Sequence, residues 1–165
     1  MVDPYDGVDW AKVEQHKANL HTHTVSSGGK LFLDQVLHGY ATRGYSILAV
    51  TDHDRITRWD LASGDPMKAY GVLPVLAQEH SRGEHVNAYF SGFLTRSDDL
   101  AAIVKGVAGA GGLSVINHPG RYWRLDAEGR VPRGTVADYV RLLQGTPTVL
   151  GIEVFNKGTR NPHDV

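Results

Sequence analysis

Two histidines one residue apart, His21 and His23, close the short apolar run of Ala18, Asn19 and Leu20. In an extended chain they face the same side. Two imidazoles side by side make half of a metal site. Further ligand-type side chains fall at the ends of later apolar runs: His53 between two aspartates, Glu79, His85, and His118 before Pro119. A carboxylate at the end of an apolar strand is costly unless it is paired or metal-bound, so Glu79 reads as a bridging ligand. The chain has no cysteine, which leaves only nitrogen and oxygen ligands. That donor set suits zinc, manganese or iron. Such ions lower the pKa of a water molecule, and two or three of them about 4 Å apart hold the attacking and leaving oxygens of a displacement. Asn117 and Arg121, either side of the His118–Gly120 segment, are the candidate substrate contacts. A guanidinium offers phosphate a planar fork of donors. Lys157 and Arg160 have a weaker claim of the same kind. His16 and His38 read as solvated, His80 as pointing away from Glu79, and His163 has no assigned place.

These residues need elements that deliver them to one place. Residues 1–16 read as a polar lead-in and 17–165 as a single metal-binding domain. Residues 17–23 form the first strand candidate, followed by the loop Ser26-Ser27-Gly28-Gly29. Leu33, Val36, Leu37, Tyr40 and Ala41 recur at helical spacing. The runs 47–50, 73–77, 85–90, 113–116 and 149–155 read as further strands. Ser97 is placed to cap a helix carrying Leu100, Ile103, Val104 and Val107, with Asp98 and Asp99 in its first turn. Thr135 to Asp138 resembles a capping box for a last helix. About six strands alternating with amphipathic helices predict a parallel α/β fold. The polar residues gather at the carboxyl ends of strands, where α/β barrels and open α/β sheets place their sites.

Composition narrows the function. Seventeen basic residues against eighteen acidic ones give no general attraction for nucleic acid or an anionic membrane. No apolar run approaches the roughly 18–20 residues of a membrane span. The N-terminal residues lack the charged and apolar regions of a signal peptide, so a cytoplasmic location is expected. Rival catalytic schemes fare poorly. There is no Gly-x-Ser-x-Gly elbow and no phosphate loop ending in Gly-Lys-Ser/Thr. The glycines between Gly106 and Gly112 precede a strand, the wrong order for a dinucleotide fingerprint.

Taken in chain order, His21-Thr22-His23, Thr51-Asp52-His53-Asp54, Glu79, His85, Asn117-His118-Pro119 and the segment Gly151 to Asn156 resemble the PHP (polymerase and histidinol phosphatase) family. The resemblance implies a distorted seven-stranded β/α barrel with two or three divalent metal ions and phosphoester hydrolysis. It implies His21, His23, His53, Glu79, His85 and His118 as ligands, with Glu79 bridging. His21, His23, Glu79 and His118 would form the catalytic centre for a metal-activated water that attacks a small phosphorylated substrate.

Two departures stand out. Gly28 occupies the position where the family's first motif has an aspartate. The family's closing Gly-x-Asp-x-His motif has no counterpart before Val165, where Asp164 stands alone. The expectation is therefore an incomplete barrel of about six of the seven strands. Its open edge would be a liability that a homodimer could cover. Two other functions remain open: a metal-dependent hydrolase of carboxylic esters, amides or organophosphates, and a shortened, non-catalytic metal-binding or assembly domain.

Overall fold

A computed structural model of the protein describes residues 5–154 and 156. Residues 5–16 form turns and lead into β1 (Lys17–Asn19). β1, β2 (Tyr45–Ala49) and β3 (Leu73–Val75) make a parallel sheet in that order. Two helices connect them, α1 (Leu33–Ala41) and α2 (Pro66–Tyr70). The spacing of Val36 and Leu37 turns both onto the buried face of α1, where they meet Leu48, Val50 and Val72. α2 starts at a proline, whose missing N–H costs nothing at that position. The Asp65 carboxylate accepts from the Met67 and Lys68 amides at 2.9 and 3.2 Å.

The second sheet runs β4 (Ala77–His80), β5 (Val86–Tyr89), β6 (Leu113–Ile116), β7 (Val149–Ile152). Here the all-parallel expectation fails. β4/β5 and β5/β6 are antiparallel, and only β6/β7 is parallel. Residues 81–85 are too few for a crossover, which takes a dozen residues or more, so β4 and β5 close as a hairpin. The strand count also differs: seven among the described residues rather than about six. The expected strand 73–77 runs on to His80 and divides between the two sheets after Val75.

α3 (Leu100–Gly109) and α4 (Arg133–Gly145) cover this sheet, packing Ile103, Val104 and Tyr139 against Val86, Ile116 and Val149. Both helices start elsewhere than expected. The side chain of Asp99, not Ser97, caps α3 by accepting from the Ala102 amide at 2.9 Å. Ser97 instead accepts from the Asp99 amide at 3.1 Å. α4 begins after Pro132, two residues before Thr135, because Pro132 fixes the extended entry.

A third apolar group, Ala49, Val75, Ala77 and Tyr89, lines the inner side of the strands. Alternation along β2 explains it: Leu48 and Val50 face the helices, Ile47 and Ala49 the interior. Where the sheets meet, His53 and Glu79 form a β-bridge. There the Asp54 amide donates to the Glu79 carbonyl at 2.8 Å. No pairing joins β1 to β7 among the described residues, so strand pairing does not close the barrel. Lys157, Arg160, His163 and Asp164 lie outside the described residues, as does Phe155 of the expected last strand. No helix among the described residues is long and apolar enough to cross a membrane.

Candidate metal centre

The ligand-type residues come from several strands and gather at the same end of the sheets. His21 and His23 follow β1 in an extended segment pinned to the end of β2. The Thr51 amide and hydroxyl both donate to the Thr22 carbonyl, at 2.8 and 3.2 Å. His53 follows β2, His118 follows β6, and Glu153 follows β7. His85 precedes β5, but that strand is antiparallel to β4, so its start lies at the same end. His118 takes a left-handed backbone (φ 31°, ψ 55°) just before Pro119.

At the centre is Glu79, fully buried. Its Oε2 lies 3.4, 3.2 and 3.1 Å from His21 Nε2, His23 Nε2 and His53 Nδ1. Its Oε1 lies 2.9 Å from His85 Nδ1 and 3.5 Å from His118 Nε2. Asn117, also fully buried, donates Nδ2 to Oε1 at 2.8 Å. Burial opposes ionisation of Glu79, yet the surrounding imidazoles, His118 and His21 foremost, hold its carboxyl far below the usual carboxylate range. His21 responds in the opposite sense: burial lowers its pKa, but Glu153 and Glu79 outweigh burial and push it up to about 9. The adjacent Glu79 carboxylate raises His53 as well, against a smaller effect of burial.

This donor set fits a divalent metal. Among the described residues, buried Glu79 Oε2 and His53 Nδ1 have no aligned hydrogen-bond partner, although they lie 3.1 Å apart. His21 Nε2 and His23 Nε2 face each other at 3.2 Å. Nitrogen and oxygen ligand atoms crowded onto one buried point are what a cation needs. Two sets have ligand atoms all within 4.8 Å of one another: His21, Glu79 and His118, and His23, His53 and Glu79. His85 belongs to neither. Its Nδ1 donates to Glu79 Oε1 at 2.9 Å, and its ring packs beside Tyr122, ring centroids 5.2 Å apart.

Sequence reasoning gave no role to two carboxylates that the structure brings in. Glu153 Oε1 lies 3.1 Å from His21 Nδ1 and accepts from Asn156 Nδ2 at 3.0 Å. Burial opposes its ionisation, but the His21 contact prevails and lowers its pKa. The signal was the one used for Glu79, an acidic residue ending an apolar strand. Asp52, nearly buried, holds the segment after His23. Arg121 donates to Asn156 Oδ1 at 2.8 Å, so the candidate phosphate contact joins the site through Glu153. The cluster opens into a cleft of about 920 Å³ that Arg121, Tyr89 and Asn87 also line. Of the remaining histidines, His16 and His38 are exposed. His80 is buried beside Phe93, and burial lowers its pKa.

No family model and no curated protein matches the sequence. Solved structures do match in fold. A two-domain protein from Bacteroides vulgatus, containing an inferred PHP-like metal-dependent phosphoesterase, aligns over 90% of this chain and 47% of its own (TM-score 0.64, 20% identity). The chain thus spans about half the length of that protein. A protein from Bifidobacterium adolescentis, inferred to be a metal-dependent phosphoesterase, aligns over 92% of this chain and 81% of its own (TM-score 0.66, 14% identity). An amidohydrolase from Chromobacterium violaceum, with bound sulfate and no metal, aligns over 84% and 76% (TM-score 0.63, 18% identity). The chain resembles PHP-like metal-dependent phosphoesterases over most of its length. At these identities the likeness is one of fold.

Proposed function

We propose that the protein is a metal-dependent phosphoesterase acting on a small phosphorylated substrate. The observation that carries this reading is Glu79, fully buried and shared between two imidazole sets. His21 and His118 would hold one divalent ion, His23 and His53 another, with Glu79 common to both. Bound there, divalent ions activate water and neutralise charge developing on phosphoryl oxygens. Asn117 orients the Glu79 carboxylate through Nδ2, and Glu153 orients His21 through Nδ1. Arg121, which lines the cleft, brings a planar guanidinium to the site, a group suited to a substrate phosphate.

The test is elemental analysis of protein purified without added metal, with turnover of an aryl phosphate before and after chelation. Bound divalent metal and chelator-sensitive turnover are expected. Protein that takes up no metal and shows no turnover would overturn the proposal and favour a non-catalytic domain. The shared fold with an amidohydrolase supports a second reading, hydrolysis of amides or carboxylic esters at the same site. Parallel assays on a phosphomonoester, a phosphodiester, an ester and an amide separate the two.

A further inference from the structure

We propose that Asp52 and Ser27 form a positioning relay that fixes the tautomer and ring orientation of His23. This deepens the metal-site reading and rests on it only for the consequence, not for the geometry. Asp52 is 2% exposed, and an ionised carboxylate only accepts hydrogen bonds. Its Oδ1 accepts from the Thr24 amide at 2.8 Å and the Ser27 hydroxyl at 2.7 Å. Its Oδ2 accepts from the Thr24 hydroxyl at 2.6 Å. Ser27 has one proton, and Asp52 takes it. Toward its other neighbour, His23 Nδ1 at 3.4 Å, Ser27 can therefore only accept. That places the imidazole proton on Nδ1. The lone pair of Nε2 is left directed at the side where Glu79 Oε2 and His21 Nε2 each lie 3.2 Å away. A ligand histidine needs this form, held by a partner on its other nitrogen.

A second, independent observation is how tightly the loop is pressed against His23. The Gly29 amide donates to the Thr24 carbonyl at 2.8 Å, and the Val25 amide to the Leu31 carbonyl at 3.0 Å. A Cβ on Gly29 would lie 2.3 Å from the His23 carbonyl oxygen, closer than atoms can approach. Gly28 has φ +139°, which side-chain-bearing residues rarely adopt. So Gly28 stands where an aspartate was expected because the turn demands glycine. The carboxylate that serves this loop comes from Asp52, at the end of β2.

The test reads the ring nitrogens of His23 directly, by long-range proton–nitrogen correlation on the full chain, metal-free and at mildly alkaline pH. The Nδ1–H form is expected in the wild type, and a shift toward Nε2–H in Ser27→Ala and Asp52→Asn. Zinc titration should show affinity weakened by about 10–100-fold in Ser27→Ala, with most of it restored in Ser27→Thr, which keeps the hydroxyl. An Nε2–H tautomer in the wild type overturns the relay without recourse to any variant. So does a Ser27→Ala protein with unchanged tautomer and zinc affinity. Wild type that shows Nδ1–H yet binds no zinc upholds the relay and defeats only the metal-site reading.

Discussion

The two halves of the cluster share Glu79 but are built differently. The His23–His53 half is local. Both imidazoles, the Asp52 carboxylate and the serine that relays it lie within 30 positions of one another and belong to the ends of β1 and β2. The His21–His118 half is long-range. His21 is tied to Glu153, 132 positions away, and Glu153 in turn to Asn156 and Arg121. Polar satisfaction differs as well. The Asp52 oxygens have three donors. Among the described residues His53 Nδ1 is the buried ligand-side atom left without a hydrogen-bond partner in the first half, against Glu153 Oε2, His118 Nδ1 and Asn117 Oδ1 in the second. One half is preorganised by its own loop, whereas the other depends on the correct docking of β6 and β7. Preorganised ligands lose less freedom on binding, so the first half should take metal more tightly.

Replacing Glu79 by Gln should erase the comparison, since it removes the group common to both halves. Metal content should fall to background and turnover with it, as elemental analysis and a phosphatase assay would show. A variant that kept both would place the site elsewhere. Next in size, His23→Ala and His118→Ala should each abolish one of two binding phases in calorimetric zinc titration, the tighter phase in the first variant and the weaker in the second. Loss of the same phase in both would deny that the halves are separate. Glu153→Gln should weaken only the weaker phase, by about 10-fold. Gly29→Ala, whose Cβ has no room against His23, should weaken only the tighter one.

The smallest effect is on the pH dependence of metal-free stability. His21 is raised from 6.5 to about 9, so its contribution is complete below pH 6.5 and is lost as pH climbs through 9. Glu79 and Glu153 are lowered from 4.5, so theirs is present above pH 4.5 and is lost as pH falls. The melting temperature of chelated protein should therefore peak between these limits. Saturating zinc should flatten the alkaline slope, because bound imidazoles are already deprotonated. An alkaline slope that zinc leaves unchanged would detach it from this cluster.

Much of this arrangement was legible in the sequence, for identifiable reasons. The run before Thr51 and the helical spacing of Val36 and Leu37 are burial patterns, and burial is what apolar periodicity records. The ligand-type residues were visible because a charged or polar side chain ending an apolar strand demands a partner. Strand direction was not legible. It depends on whether residues 81–85 close a hairpin, and a parallel expectation built on the other strands carried over to β5 and β6. Glu153 obeyed the rule applied to Glu79 and was passed over. Asp52 was hidden by its neighbour: within Thr51-Asp52-His53-Asp54 the histidine drew the chemistry, while the carboxylate that faces Thr24 and Ser27 shows itself only once the segment after β1 folds back.

The bridge between His53 and Glu79 has a thermodynamic consequence. The two sheets have separate apolar cores beneath their helices and share only the small inner group of Ala49, Val75, Ala77 and Tyr89, and the ligand sets straddle the seam between them. An ion bound by side chains from both sides acts as a clasp. By mass action, each tenfold excess of free ion over its dissociation constant adds about 1.4 kcal/mol to the closed form. The free-metal level of the surroundings would then add to how firmly the two sheets stay together along that line.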